Sequence, residues 1–309
     1  MSARADTALK DGPIAILGAG SLGRLWAGYL PAGHAVFLSH PSRPVSGPIH
    51  YRLKHPDGAE SICQIPVITL TGARPYLLLV TTKAGDTVDA LERALPSLPT
   101  ELPIILFQNG LGCQQAVAGR WPDRPVLAAS TTEGANRPEE ELLVHAGRGQ
   151  TWIGALTDFG RYCVAAAVAQ LKSSGLAIEA EPDIHQRLWD KLVVNSGINA
   201  FTTILDCPNG DILVDPFFLE HIDDLSEEIA QVMATETRRP LSAEEVRKRI
   251  YTVATSTAEN TSSMRSDRQR GRSTEIDVIN GYIVERGKAA GIATPVNQML
   301  VRRVKDLTE

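Results

Sequence analysis

The run Pro13-Ile14-Ala15-Ile16-Leu17-Gly18-Ala19-Gly20-Ser21-Leu22-Gly23 decides the fold. Five residues that read as a buried strand lead straight into G-x-G-x-x-G. The stretch Arg24 to Leu30 continues as a helix, and a second strand, Ala35 to Ser39, follows Gly33-His34. Strand, glycine turn and helix in this order form the dinucleotide-binding fingerprint. Gly18 permits the tight turn, Gly20 lets a pyrophosphate approach the backbone, and Gly23 lets the helix pack closely on the strand. The helix N-terminus adds free N–H donors and a partial positive charge. Gly18, Ala19, Gly20, Ser21, Leu22 and Gly23 are therefore the expected cofactor cradle.

The end of the second strand bears on which dinucleotide binds. A site for NAD usually carries Asp or Glu there, to hold the ribose 2′-hydroxyl. Here the residues are Ser39-His40-Pro41-Ser42-Arg43, with no acid. A carboxylate would repel a 2′-phosphate, whereas a guanidinium and a hydroxyl would hold one. NADP(H) is the expected cofactor, with Arg43 as the 2′-phosphate contact and Ser39 or His40 beside it. A solvated loop arginine is the competing reading of Arg43. Downstream, Tyr76–Val80 and Pro103–Phe107 are continuous apolar runs, as in parallel strands covered on both faces. Lys83 and Asn109 follow them, at the strand ends where open α/β sheets bind ligands. Val126–Thr132 reads as a further strand. His145 to Gly154 reads as a turn plus strand forming an antiparallel extension, with His145 structural.

From about Asp183 the pattern becomes helical, over 183–205, 216–235, 242–258 and 272–290, punctuated by Pro182, Pro208-Asn209-Gly210 and Pro240. Ser242-Ala243-Glu244-Glu245 is a capping-box start. The expected organisation is α/β plus all-α: a Rossmann-type domain over 13–182 and a helical domain over 183–309. Within the largely apolar stretch Trp189 to Phe201, Lys191, Asn195 and Asn199 recur at i, i+4 and i+8. Four residues turn a helix by about 400°, so the three side chains share one face. Such a row is costly to bury unless hydrogen-bonded and suits a polar ligand. A wet helix face, or asparagines that cap loops, would give the same spacing.

Composition narrows the classes. The 309 residues are 43% hydrophobic and 22% charged, with a net charge of −5, so no basic excess points to nucleic acid. No run of about 20 apolar residues would span a membrane. Met1 to Asp11 carries no apolar core like that of a signal peptide and reads as a tail before the first strand. Cys63, Cys113, Cys163 and Cys207 are widely spaced, without a CxxC pair. That signals neither a disulfide framework nor a zinc knuckle and suits a reducing cytoplasm. No metal site is expected. Oligomeric state is not legible, and monomer and homodimer both stay open.

The motifs together resemble the ketopantoate reductase (2-dehydropantoate 2-reductase) family. They are GAGSLG at 18–23, Lys83-Ala84 after a strand, Asn109-Gly110-Leu111-Gly112, and Trp189-Asp190-Lys191-Leu192 with Asn195 and Asn199. Cys207-Pro208-Asn209-Gly210 and Asn260-Thr261-Ser262-Ser263-Met264 follow. After a short basic stretch come Thr274-Glu275-Ile276-Asp277 and Ile279-Asn280-Gly281. The resemblance implies a fold similar to 6-phosphogluconate dehydrogenase and NADPH-dependent reduction of a 2-oxo acid, forming (R)-pantoate. It implies Lys191 as the catalytic lysine, acting as general acid, and Glu275 as its supporting glutamate. Asn109, Asn195, Asn199, Asn209, Asn260 and Ser263 match substrate-contact positions, and Lys83 and Asn109 match cofactor-side positions. Glu275 also reads as a helix first-turn acid, and Ser262 and Ser263 as N-caps. The chain departs from the family pattern at Asp86, where Gln is common, and at His40, where Arg is common. A paralogous reductase of another 2-oxo acid is the alternative function. A non-catalytic NADPH sensor ranks below it, because Lys191 and Glu275 are both present.

Overall fold

A computed structural model describes residues 12–39, 47–69 and 74–307. Two compact units emerge. The first takes the chain through Gln108 together with Val117–Pro182; the second takes Asn109–Ala116 together with Asp183–Glu309. The short segment 109–116, which the sequence reading keeps with the strands around it, thus groups with the helical residues.

The first unit holds β1 (Ile14–Leu17), α1 (Ser21–Tyr29), β2 (Ala35–Leu38), β3 (Ile49–Lys54), β4 (Glu60–Ile65), β5 (Val67–Ile68), β6 (Leu77–Val80), α2 (Ala84–Ala94) and β7 (Ile104–Leu106). The partition passes through α3 (Cys113–Arg120). Then come β8 (Val126–Thr131), β9 (Gly134–Glu139), β10 (Leu142–Gly147), β11 (Thr151–Ala155), α4 (Asp158–Arg161), α5 (Val164–Leu171) and β12 (Ile178–Ala180). The main sheet has the order β12-β11-β8-β7-β6-β1-β2-β5. Its neighbours are parallel except β8 and β11, which pair antiparallel. Strands β1, β2, β6, β7 and β8 are buried along their whole length, which is why they read as unbroken apolar runs. The chain runs from β1 to β2 on one side and later returns to pair β6 with β1 on the other, so the carboxyl end of β1 lies at a topological switch point.

A second sheet, β4-β3-β10-β9, corrects the reading of 145–154 as one turn plus strand. Only β11 extends the main sheet; His145 lies on β10 of the smaller one. The smaller sheet packs Tyr51, Leu53, Cys63 and Leu143 against Leu25 of α1. The sheet is mixed, with β3 and β10 parallel and the other two pairs antiparallel, and β3 alternates buried and exposed residues as a half-wet strand does. His145 is a buried tie. Its Nε2 lies 2.8 Å from Glu133 Oε2 and its Nδ1 2.6 Å from the hydroxyl of Tyr29, the last residue of α1.

The second unit is built from α6 (Ile184–Leu205), α7 (Pro216–Glu236), α8 (Ala243–Ser256), α9 (Ser263–Gln269), α10 (Asn280–Ala290) and α11 (Pro295–Asp306). Asp183 caps α6, Asp215 caps α7, and Ser242 with Glu245 forms the complete capping box of α8. Gly197 lets α8 approach α6: a Cβ there would collide with the Ile250 side chain. The expected continuous helix over 272–290 is replaced by an irregular stretch, a 3₁₀ turn (Ile276–Val278) and α10. Ile279 is non-helical (φ −104°, ψ −91°). The Val278 carbonyl instead accepts from Leu111 N–H at 2.9 Å, a bond that no local periodicity announces.

Four helices meet at a buried carboxylate. Glu228 of α7, 6% exposed, accepts from Val296 N–H (2.7 Å), Asn297 N–H (3.0 Å) and Asn297 Nδ2 (2.8 Å) at the start of α11. Asn297 Oδ1 accepts from Asn280 Nδ2 of α10, which also donates to the Ser196 carbonyl of α6. A carboxylate at a helix N-terminus is favoured by the helix dipole and satisfies donors that α11 leaves open. Among the described residues no helix is long and apolar enough to cross a membrane. Glu228→Gln removes the charge and turns an amide donor toward N–H groups. It is expected to cost about 2 kcal/mol by urea unfolding; a change within about 0.5 kcal/mol would contradict this role.

Candidate active site

The glycine loop follows from steric necessity. Gly18 has φ +111°, and a Cβ there would lie 2.8 Å from the Thr81 carbonyl carbon. A Cβ on Gly23 would collide with the Gly18 carbonyl oxygen. Thr81, just past β6, fixes that oxygen by donating its hydroxyl at 2.6 Å. Gly20 is the exposed N-cap of α1, so backbone is bared where the N–H groups of Ser21, Leu22 and Gly23 begin the helix. The first turn of α1 carries no acid. Arg24 donates Nε to the Ala19 carbonyl at 3.1 Å, bracing the loop from beneath. The donor set and the absence of side chains fit the pyrophosphate of a dinucleotide.

Lys83 is half-buried and is the N-cap residue of α2; its carbonyl accepts the Thr87 hydroxyl. Gln108 closes β7 by donating Nε2 to the carbonyls of Val80 and Thr82, which fixes the ends of the two strands to each other. Ser39 is half-buried after β2, its N–H on the Ile68 carbonyl. Arg43 and His40 lie outside the described residues. Asp86 is exposed in the first turn of α2.

In the second unit Asn109 links Lys191 and Glu275 by hydrogen bonds. Lys191 Nζ donates to Asn109 Oδ1 at 2.8 Å, and Asn109 Nδ2 donates to Glu275 Oε2 at 3.0 Å. The amide lies between ammonium and carboxylate with each end facing the complementary charge. The backbone explains how residues so distant in sequence meet. Gly110 has φ +74°, and a Cβ on it would collide with the Val278 carbonyl oxygen. That same carbonyl accepts from Leu111 N–H, while Val278 N–H donates to the Glu275 carbonyl at 3.2 Å. The turn carrying Asn109 is thus stitched to the turn carrying Glu275. Burial pushes the Lys191 ammonium down to about 8, against the opposing pull of the Glu275 charge. Near neutral pH the group keeps its proton but holds it less firmly than an exposed lysine.

Asn195 and Asn199 follow Lys191 on α6, the first half-buried and the second buried. Asn209 is buried and donates Nδ2 to the Thr257 hydroxyl at 3.0 Å; its N–H donates to the Asn260 carbonyl at 3.0 Å. These bonds fasten the Cys207-Pro208-Asn209-Gly210 loop to the 257–260 turn. Gly210 is required there, since a Cβ would fall 2.6 Å from that of Ala258. Asn260 and Ser263 are exposed. Ser262 is the N-cap of α9, accepting from Arg265 N–H, and its hydroxyl meets that of Thr202 on α6 at 2.7 Å. Glu275 is not a helix first-turn acid: it precedes the 3₁₀ turn. Thr81, Arg24 and Gln108 escaped the sequence reading, and only the position of Thr81 and Gln108 at strand ends hints at them. Among the described residues no group of His, Cys, Asp and Glu side chains could hold a metal ion.

Known proteins resemble this one over most of the chain. Residues 14–158 match the family model described as ketopantoate reductase PanE/ApbA, and residues 183–308 match its C-terminal counterpart. A 2-dehydropantoate 2-reductase of Vibrio cholerae is 38% identical over 306 residues, covering 96% of this chain and 98% of that protein. One from Archaeoglobus fulgidus is 38% identical over 231 residues, covering 74% and 75%. Among solved structures, a PanE/ApbA family ketopantoate reductase from Ralstonia eutropha superposes with a TM-score of 0.81 at 26% identity, covering 96% and 98%. D-mandelate dehydrogenase with NADH and anilino(oxo)acetate gives 0.84 at 22% identity over the same shares, a likeness of fold alone.

The lysine–amide–carboxylate chain predicts how Lys191 titrates. Its Nζ resonance should titrate near 8 instead of the ordinary 10.5. Glu275→Gln, which removes the opposing negative charge, should lower the value further. Asn109→Asp, which puts an anion against the ammonium, should raise it. NMR of isotopically labelled lysine reads all three, and a wild-type value at 10.5 would refute the burial argument.

Proposed function

We propose that this chain, which belongs to the ketopantoate reductase family, reduces 2-dehydropantoate (ketopantoate) to (R)-pantoate with NADPH, a step toward pantothenate and coenzyme A. The observation that carries the reading is the half-buried ammonium of Lys191, held through an amide to Glu275. Relatives named for this activity, at 30–38% identity over most of the chain, support the choice of substrate.

Bound NADPH supplies a hydride to the C2 carbonyl carbon. Everything else falls to the chain. As the carbonyl π electrons move onto oxygen, negative charge builds there, and a fixed ammonium stabilises it before handing over a proton. Lys191 is suited to both tasks: it is charged near neutrality, and its lowered pKa eases release of the proton. Asn109 holds Nζ by its carbonyl oxygen and is itself held by Glu275, so the ammonium is restrained in place. In this reading Asn195 and Asn199 offer amides to the distal hydroxyl and Ser263 offers its hydroxyl to the carboxylate. Asn260 joins them at the substrate, while Asn209 holds the loop that carries the Asn260 turn. Gly18 to Gly23, Lys83 and Asn109 serve the cofactor side. The preference for NADPH rests on the acid-free segment Ser39 to Arg43, with Arg43 on the 2′-phosphate.

Purified protein should oxidise NADPH rapidly with ketopantoate. Turnover should be slower with NADH, and much slower with 2-oxoisovalerate, which lacks the hydroxyl that a polar pocket would select. Turnover confined to other 2-oxo acids would leave a reductase with a different substrate; NADPH binding without turnover of any would leave a sensor. Lys191→Ala should lower kcat by about 10²- to 10⁴-fold, with NADPH affinity unchanged. The proton leaves Lys191 as pH rises through about 8, so kcat/KM for reduction should fall above that value and pantoate oxidation should rise. A reduction rate still climbing above pH 9 would remove Lys191 as the acid.

A further inference from the structure

The short basic stretch that leads into Thr274 has no part in the reading above. The end of α9, residues 271–274, the 3₁₀ turn and the end of α11 together form a cavity of about 370 Å³. That is at the small end of ligand pockets, which span roughly 300 to 1,000 Å³. Arg268, Arg272, Ser273, Thr274, Asp277 and Lys305 line it, whereas Lys191, Asn195, Asn199, Asn109 and Glu275 do not. Lys305 Nζ meets Asp277 Oδ1 at 2.6 Å, so those two charges answer each other. Arg268 gives Nη1 to the Thr203 carbonyl of α6 at 2.9 Å, a neutral acceptor. The Asp206 carboxylate, which feels the Arg268 charge, is itself bonded by Arg265 and Gln269. Cations in the last turn of a helix answer its dipole, which accounts for Arg268 on α9 and Lys305 on α11. It does not account for Arg272, which belongs to no helix. Its guanidinium is half-buried and bonds no described residue. Thr274 is half-buried as well, and neither its N–H nor its hydroxyl has a described partner. The turn itself is fixed by backbone: Gly271 N–H donates to the Arg268 carbonyl and Arg272 N–H to the Asp267 carbonyl, both at 2.9 Å.

We propose that this cavity is an anion site for a small phosphate monoester, with Arg272 and Thr274 as its principal donors and Arg268 beside them. The site is separate from the reduction chemistry and does not depend on it. A phosphate monoester carries a charge of about −1.5 to −2 and three acceptor oxygens spread in space. A carboxylate is planar, and a single guanidinium fork fills it. Two guanidiniums, a hydroxyl and its neighbouring N–H offer more donors, from more directions, than a carboxylate uses. With Lys305 and Asp277 paired to each other, the charge that a ligand would neutralise is that of the two arginines. The small volume suits a short monoester and excludes a whole dinucleotide. The cavity wall is continuous with the turn that carries Glu275, which Thr274 directly precedes.

The test is isothermal calorimetry with inorganic phosphate and with glycerol 3-phosphate, at constant ionic strength in a buffer free of other multivalent anions. The wild type should bind both, with dissociation constants of about 1 mM or below. Arg272→Ala should weaken binding by about 10-fold or more, the loss expected for a hydrogen bond to a charged group. Arg272→Lys should recover part of that loss, and Thr274→Val should show a smaller one. Arg272 and Thr274 side chains have no partners among the described residues, so without phosphate each variant should unfold at the wild-type Tm. Added phosphate should raise the Tm of the wild type and leave that of Arg272→Ala where it was. No binding by the wild type at ten times the stated concentration overturns the proposal, as does wild-type affinity in Arg272→Ala. Chloride bound as tightly as phosphate overturns it too, since that marks diffuse positive potential. Binding of inorganic phosphate without the monoester overturns the choice of ligand. A loss in Arg272→Ala that comes with a lower Tm in the absence of phosphate, and that lysine does not ease, makes Arg272 a brace of the fold instead.

Discussion

The candidate site is organised around one neutral amide that bonds to a cation at one end and a carboxylate at the other. A carboxylate touching the ammonium of Lys191 directly would stabilise the charged form and raise its pKa. The Glu275 charge pulls the Lys191 value up, but desolvation is the larger influence. The amide has a direction: its oxygen can only accept and its nitrogen can only donate. Lys191 as donor and Glu275 as acceptor leave it one orientation that satisfies both. The lysine is thus positioned through the amide while burial loosens its hold on the proton.

Much of the second unit can be understood as support for that amide. Gly110 is bare so that the Asn109 turn can lie against Val278. Ile279, next to the Val278 carbonyl that accepts from Leu111, leaves helical geometry, and α10 starts afresh at Asn280. Asn280 then ties α10 to α6 and, through Asn297, to Glu228 beneath α11. A buried carboxylate is costly unless every lone pair is answered. The backbone and side-chain donors of α11 supply that answer, which anchors the far side of α10.

Local features of the site were legible and long-range ones were not. G-x-G-x-x-G and the apolar strands that follow it are local patterns, and their glycines meet the steric limits expected of them at Gly18 and Gly23. The spacing of Lys191, Asn195 and Asn199 is likewise local, since one helix makes it. The partnership of Asn109 with Lys191 spans 82 positions, and that of Asn109 with Glu275 spans 166. No periodicity encodes such pairs. The small sheet escaped because its strands carry no unbroken apolar run; β3 alternates buried residues with exposed charged ones such as Arg52 and Lys54. Glu228 sits beside Glu227 in a helix and reads as surface; only the approach of α11 makes it a core residue. The helix drawn over 272–290 failed for the same reason, the distant Leu111 N–H donor on the Val278 carbonyl overriding apolar spacing.

The grouping of residues 109–116 with the helical half bears on how such chains can be recombined. A single crossover at the 182/183 junction looks modular, since one half begins there. A chimera made at that point, however, inherits Lys191 and Glu275 from one parent and Asn109 with Gly110 from the other. The parents must then agree on the shape of the Gly110 turn and of the Val278 carbonyl it abuts. Shuffling therefore needs two exchanges, one at 183 and one around 109–116, so the heritable unit of this site is discontinuous in the gene.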